Sequence, residues 1–439
     1  MGTTILLGII SIGILIFAHE LGHFLIARAA GMKVEVFSIG WGKGIVHFTW
    51  KETKIQIGWI PFGGYCKLAG DSPRDDIEHK PYEYYESSPI KRIFVALGGP
   101  VFNYILAMFL FSMIIIIGYE IKTYPNRIIL ARGNELVSST GQTPAQRAGL
   151  QDGDVIVGIN GKKVENWNDI TEHIVRNALK TIEIDVERDG RLLKTAAVPE
   201  LDKETGRGLI GIQPWVEPIV GSVLPGEPAE RAGFMPADRI ISVNGEPIAH
   251  YVDFYRVIKG KSATTVSVEI ERNGGELTLQ LIPELVDGYD SAGMFFQQIT
   301  YRSENLPIPA AFGRGFVQSA EAVRDTVYGI FLVFSGKIQA RKAVAGPAKL
   351  IYISGIIAKE GFVYFLQVMS YISIAFFIMN LIPFPALDGS HIAISVYELV
   401  ARRKPNLEVV HRIQTFGFLF LIMVLIFVTM NDISSFFGK

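Results

Sequence analysis

Three of the residues in His19-Glu20-Leu21-Gly22-His23 can do chemistry together. On a helix, positions i and i+4 differ by about 40° in azimuth and one turn in height, so His19 and His23 share a face. Two imidazoles so placed can ligate one Zn²⁺, and Glu20 beside them can act as general base on water activated by that ion. Tetrahedral catalytic zinc usually takes three protein ligands and leaves one position for water, so a third ligand is needed. Cys66 is the sole cysteine, which rules out an internal disulfide framework and a cysteine-based zinc cluster. His and carboxylates must supply the site.

A candidate third ligand closes the run Asn380-Leu381-Ile382-Pro383-Phe384-Pro385-Ala386-Leu387-Asp388-Gly389. Pro383 and Pro385 must break a helix there, because each lacks an N–H and clashes with the preceding turn. Asp388 can ligate the metal, or it can N-cap a helix beginning Ser390-His391-Ile392. His391 is a rival ligand. Both alternatives stay open on spacing alone.

The elements that must position these residues are apolar. Residues 1–18 carry no charged side chain, and the runs 93–119, 361–387 and 413–431 are free of Asp, Glu, Lys and Arg. A membrane helix needs about 20 apolar residues, so four spans fit. The zinc motif falls inside the first, since Phe24, Leu25, Ile26 and Ala27 follow it directly. An ionisable residue near mid-bilayer costs about 2.5–3.5 kcal/mol on insertion scales, which points to function. The first span is not expected to be a cleavable signal, because it lacks a basic n-region and runs straight into His19-Glu20. Lys and Arg crowd 28–92 and 402–412, so the positive-inside rule places both termini and the long middle region outside. The chain is 49% hydrophobic, 19% charged and carries a net charge of −1, which argues against disorder and against nucleic-acid binding.

The middle region repeats itself. Pro144-Ala145-Gln146-Arg147-Ala148-Gly149-Leu150 recurs 84 residues later as Pro228-Ala229-Glu230-Arg231-Ala232-Gly233-Phe234, and Asp154, Asn160 and Gly161 map onto Asp238, Asn244 and Gly245. That period suits two small domains, each with a short helix, a strand and an Asn-Gly hairpin turn. The pattern resembles the PDZ domains of bacterial proteases, which add a peptide to a sheet edge and capture its C-terminus. A rigid spacer or size filter is the other reading. In 305–360, Phe316, Ala320, Val323, Val327, Ile330 and Phe334 fall at helical spacing, as in an amphipathic helix on the outer membrane surface or against the PDZ pair.

The pairing of H-E-x-x-H in a first span with Asn-x-x-Pro-x-Pro-x-x-Asp-Gly in a later one resembles the site-2 proteases, intramembrane zinc metalloproteases, and the paired PDZ-like domains resemble their tandem-PDZ branch. The resemblance implies a polytopic α-helical membrane protein with four transmembrane helices, a membrane-associated β-hairpin region and two inserted extracytoplasmic PDZ domains. It implies Zn²⁺ on His19, His23 and Asp388, with Glu20 as catalytic base. It implies substrate contacts from Asn380, Gly63, Gly64, Pro383 and Pro385. Gly98-Gly99-Pro100 with Asn103 matches the family's Gly-Pro-x-x-Asn motif, and Val344-Ala345-Gly346-Pro347 its segment before span three.

The expected division is span one with the motif at 1–30, a cytoplasmic or re-entrant β region at 31–91 and span two at 92–119. PDZ domains follow at 125–205 and 206–300, and an amphipathic linker at 301–360. Span three covers 361–387, a cytoplasmic loop 388–412 and span four 413–431. Residues 34–68 alternate apolar and polar positions and read as β-hairpins with a Gly-rich tip at Gly63-Gly64, whose edge can pair with an unwound substrate. Implied substrates are single-span membrane proteins already trimmed outside, such as anti-sigma factors or remnant signal peptides. The implied setting is a bacterial inner membrane, with the lipid bilayer and a substrate C-terminus as partners and the active site toward the cytoplasm. A zinc transporter or a catalytically silent membrane-anchored PDZ scaffold are the competing classes.

Overall fold

A computed structural model describes residues 2–71, 79–131, 141–202, 206–286, 289–303, 305–337 and 346–437. Val344 and Ala345, singled out above, lie outside the described residues. The chain divides into two units, residues 1–119 with 304–439, and residues 120–303.

The first unit holds α1 (Gly2–Ala29), β1 (Val34–Trp50), β2 (Thr53–Leu68) and α2 (Pro89–Ile117), then α3 (Ile308–Phe334), α4 (Pro347–Glu360), α5 (Phe362–Leu381), α6 (Asp388–Ala401) and α7 (Leu407–Phe437). Among the described residues four helices, α1, α2, α5 and α7, are long and apolar enough to cross a membrane. The core of this unit joins Leu15 of α1, Ala107 and Phe111 of α2, Ala322 of α3 and Ile374 of α5. Small residues set the closest contacts: a Cβ on Gly22 would stand 2.1 Å from the Gly98 carbonyl oxygen, and one on Gly98 would stand 2.7 Å from that of Gly22. The backbones of α1 and α2 therefore touch, as small-residue interfaces allow.

The alternation in 34–68 does form strands, but not as simple hairpins. β1 and β2 meet at a Lys51–Glu52 turn, and each bends in its middle. Val36–Ile39 pairs with Lys67–Gly64 on one side. On the other it lies beside Lys54–Ile57 with both numbers rising, so this inner contact runs parallel while its neighbours run antiparallel. The order across the sheet is 44–50, 53–58, 34–39, 64–68. Gln56 ties the centre together, its amide donating to Ser38 Oγ (3.2 Å) and the Tyr65 hydroxyl (3.1 Å). Gly63-Gly64 is thus not a tip. It leads into the edge strand 64–68.

Three further expectations change. The third apolar helix stops at Leu381, six residues before its charge-free run ends, because Pro383 cannot continue it. The segment 301–360 holds two helices, and α3 packs against α2 through its small residues, burying Gly315, Ser319 and Ala322, while Phe316, Val327 and Phe334 of the expected stripe stay exposed. Gly118 meets Asn305, Ser112 meets Gly315 and Tyr104 meets Phe316, so the two helices run antiparallel. The boundary between the repeats also moves, since Ile210 and Ile212 pack in the first repeat's core while Val216 belongs to the second.

In the second unit each repeat builds a four-stranded antiparallel sheet. The orders are 162–163, 155–159, 182–188, 191–197 and, 84 residues on, 246–247, 239–243, 266–272, 275–281. The Asn-Gly turns form as expected, Asn160 and Asn244 both at φ 51° followed by glycines at positive φ. Buried Asp154 pairs with Arg188 (2.6 Å), and Asp238 with Arg272 (2.7 Å). In each case the arginine also donates to the carbonyl of the glycine after the short helix, Gly149 or Gly233, at 2.8 Å. Removing one partner of such a pair strands the other charge, which costs about 3–5 kcal/mol when fully buried. Because Arg272 keeps 21% exposure, Asp238→Ala is expected to lower stability by about 2 kcal/mol, the range for hydrogen bonds to a charged group, read as early melting of tryptophan fluorescence and faster amide exchange confined to 220–296.

Candidate active site

The α1–α2 contact fixes the first two ligand candidates. A Cβ on Gly99 would stand 2.3 Å from His23 Nε2 and 2.6 Å from His19 Cε1, so the imidazoles lie against bare backbone. Their rings meet edge to face, with centroids 4.8 Å apart. His23 Nδ1 sits 2.8 Å from the Val95 carbonyl oxygen. A carbonyl can only accept, so Nδ1 carries the proton and the Nε2 lone pair is bare.

His19 is backed by Asn103, whose amide lies 3.2 Å from His19 Nδ1. The amide oxygen of Asn103 is buried without a partner. Turning that amide by 180° exchanges two atoms of nearly equal size, gives the oxygen a donor and leaves His19 Nε2 bare as well. Ser373 of α5 holds Asn103 in turn, its hydroxyl donating to the Asn103 backbone carbonyl at 2.7 Å.

Asp388 comes from the broken end of α5. The chain leaves the helix at Ile382 and passes Ala386 at φ 73°, in the left-handed region. It then folds back on the first turn of α6, where a Cβ on Gly389 would stand 2.3 Å from the Ile382 carbonyl oxygen. Gln414 of α7 braces this loop, accepting from the Ala386 N–H and donating to Ser390 Oγ at 2.8 Å. Arg92 of α2, 1% exposed, is ion-paired with Glu398 of α6. The N-cap of α6 is Leu387 and no side chain caps it, so the capping alternative for Asp388 is not what forms.

The three side chains converge. Asp388 Oδ2 is 3.2 Å from His19 Nε2, Oδ1 is 3.3 Å from His23 Nε2, and the two Nε2 atoms are 3.2 Å apart. Candidate ligand atoms of all three lie within 4.8 Å of one another. Asp388 Oδ2 is buried and accepts no hydrogen bond. Two bare imidazole nitrogens and a carboxylate aimed at one point suit a cation, and this N₂O set suits Zn²⁺.

A cavity of about 300 Å³ opens on this point, lined also by Glu20, Gly64, Tyr65, Cys66 and Asn380. Glu20 lies beside the backbone N–H of Cys66. Gly63, Pro383 and Pro385 do not line it. Gly63 turns the chain at φ 86° under the Trp41 ring, Pro385 packs on Gly417 of α7, and Pro383 is exposed, so they shape the walls rather than the floor. His391, the rival ligand, lies outside the cluster, its Nδ1 3.4 Å from the Tyr84 hydroxyl. Burial pushes that hydroxyl far above the ordinary phenol range and holds His391 below the usual imidazole value. The roles of Val95, Tyr84 and Gln414 had no signal in spacing. The Gly-Pro-x-x-Asn motif marked Asn103 but not its contact with His19.

The family model described as Peptidase family M50 matches residues 7–424. A chain of Treponema pallidum (strain Nichols) carrying the provisional name zinc metalloprotease is 28% identical, over 99% of both chains. Regulator of sigma-E protease RseP of Escherichia coli (strain K12) is 27% identical, over 97% of both chains. A solved PDZ domain of an SdrC-like protein from Listeria monocytogenes aligns with 18% of this chain and 84% of its own at 20% identity, but its TM-score of 0.17 is too low to carry an argument.

Groups that hydrogen-bond the other ring nitrogen of a metal-bound histidine are typically worth about 10–100-fold in metal affinity. Asn103→Ala is expected to weaken zinc binding by about that factor, read by competition with a chelating dye, while Asn103→Asp retains it.

Proposed function

Because the chain belongs to peptidase family M50, the site-2 proteases, which are zinc metalloproteases, we propose that it hydrolyses peptide bonds inside the transmembrane segments of single-span proteins. The convergence of His19, His23 and Asp388 beside Glu20 in one cavity carries this reading. Those three residues hold the zinc, which supplies Lewis acidity and makes water a nucleophile near neutral pH. Glu20 takes the proton of the attacking water and delivers it to the leaving amine nitrogen. Asn380, on the wall of the same cavity, hydrogen-bonds the substrate backbone next to the cleaved bond.

A transmembrane helix hides its carbonyls in its own hydrogen bonds, so the substrate must be unwound before attack. The strand 64–68 supports this step. It pairs with 34–39 on one side and borders the cavity on the other, offering the substrate a sheet edge. The far side of the sheet supports immersion, since Ile45 is 69% and Trp59 64% exposed, a cost in water and a gain in lipid. The orientation follows from charge: repeats and both termini outside a bacterial inner membrane, active site toward the cytoplasm. The two repeats act as PDZ domains that admit only substrates already trimmed outside, by excluding bulk or by capturing the new C-terminus, as with anti-sigma factors or remnant signal peptides. Among the described residues one His/Asp cluster can hold a metal, whereas a zinc transporter needs a path of them, and a silent scaffold needs no Glu20.

Glu20→Gln is expected to keep wild-type zinc content and to lose at least about 10³-fold in kcat, within the span that general acid–base groups contribute. Equal activity in both proteins excludes Glu20 as the base. If the substrate docks as a strand, N-methylation at successive residues on the unprimed side of a model substrate is expected to reduce turnover at every second position, following the alternation of outward N–H groups. A uniform effect argues against strand addition.

A further inference from the structure

His391 is left unused by the three-ligand reading, yet it lines the same cavity as His19, Glu20, His23 and Asp388. It stands three residues after Asp388 on α6, so the two side chains share a helix face. Its Nδ1 is 3.4 Å from the Tyr84 hydroxyl, and the two rings meet edge to face with centroids 5.9 Å apart. Tyr84 is itself held firmly. Its backbone N–H donates to the Ala69 carbonyl at 2.8 Å, its ring meets Tyr85 edge to face, and the Arg92 guanidinium lies over it at 6.0 Å.

A phenol oxygen can accept as well as donate, so the contact alone allows two arrangements. Among the described residues the Tyr84 O–H has no acceptor but His391 Nδ1, and donation there leaves Nδ1 bare and puts the neutral ring's proton on Nε2. Among the described residues no protein group takes that N–H. A donor fixed in place at the edge of the cavity is what stabilises charge developing on a peptide carbonyl.

We propose that His391, held in the Nε2–H form by Tyr84, donates a hydrogen bond to the oxygen of the scissile carbonyl as that oxygen gains negative charge, with Tyr84 as its positioning residue. The donor adds to the charge stabilisation that a bound zinc would supply and transfers no proton. Glu20 remains the only proton carrier. The inference rests on the protease reading above and assigns His391 a role distinct from metal ligation.

The test compares wild type, Glu20→Gln, His391→Leu, His391→Gln and Tyr84→Phe in detergent. Bound zinc, kcat and KM on a single-span model substrate are measured, with the Kd of a phosphinic peptide whose tetrahedral centre carries the same charged oxygen. Loss of one such donor typically costs about 10²–10³-fold in kcat. His391→Leu is expected to keep zinc and KM, lose kcat by that factor and weaken the phosphinic peptide equally. His391→Gln, which restores an N–H, recovers part of the loss. Tyr84→Phe is expected to lose about tenfold, within the range for one neutral hydrogen bond.

Nitrogen-15 spectra of histidine-labelled zinc-loaded enzyme give a readout independent of turnover, in which the resonance absent from His391→Gln is expected to show protonated Nε2 and bare Nδ1. The inference is overturned by a kcat within threefold of wild type in His391→Leu, by loss of zinc in that variant, by an effect on KM alone, or by the opposite tautomer. Failure of Glu20→Gln to silence the enzyme tells instead against the protease reading, and the tautomer and peptide affinities still decide the role of His391.

Discussion

Everything at the site depends on two helix backbones touching where a side chain would keep them apart. With Gly22 on one helix and Gly98-Gly99 on the other, α1 and α2 approach closely enough for carbonyl oxygens to occupy the space of a Cβ. Lipid gives no hydrophobic drive for helices to associate, so van der Waals contact of this kind must supply it. The same contact does chemical work. It lays both imidazoles against bare backbone and brings the Val95 carbonyl within reach of His23 and the Asn103 amide within reach of His19. A single methyl group at Gly99 would occupy the space of the His23 Nε2 atom.

The carboxylate arrives by a different route. The histidines sit on an unbroken helix, whereas Asp388 is delivered by a break, and breaks leave backbone groups without partners. The loop from Ile382 to Leu387 answers with short internal turns and with Gln414, a polar side chain reaching in from α7 to serve both Ala386 and Ser390. On the opposite flank, Arg92 and Glu398 tie α6 to α2. Three helices are thus needed to aim one side chain, and the left-handed backbone at Ala386 is the strain that this aim imposes.

What could be read from sequence follows from what is local. The i, i+4 spacing put His19 and His23 on one face, and four apolar runs announced four helices, because both depend on one element at a time. The Asn-Gly turns at 160 and 244 were equally legible. Asp388 was not decided by spacing, since an aspartate before a helix reads equally well as a cap; only the fold, which gives the cap position to Leu387, separates the two. The sheet order in 34–68 was hidden for a related reason. Alternation marks strands but not their neighbours, and the inner parallel contact joins 36–39 to 54–57 across a bend and a turn. The amphipathic pattern in α3 gave the right element but not its packing face: Gly315, Ser319 and Ala322 are buried, while Phe316, Val327 and Phe334 of the expected stripe stay exposed.

The two repeats of the second unit meet the same packing problem with partly different parts. Both keep the Asp–Arg pair, the arginine's reach to the glycine carbonyl and the asparagine that closes the hairpin. The first has a full Thr143–Gln146 capping box, whereas the second begins its short helix at Glu227 with no side-chain cap. They also differ in the segment before that helix, 131–143 in the first and 224–227 in the second. What both share is the set of contacts that ties sheet to short helix, and what they do not share, the cap of that helix, lets one architecture present two different surfaces.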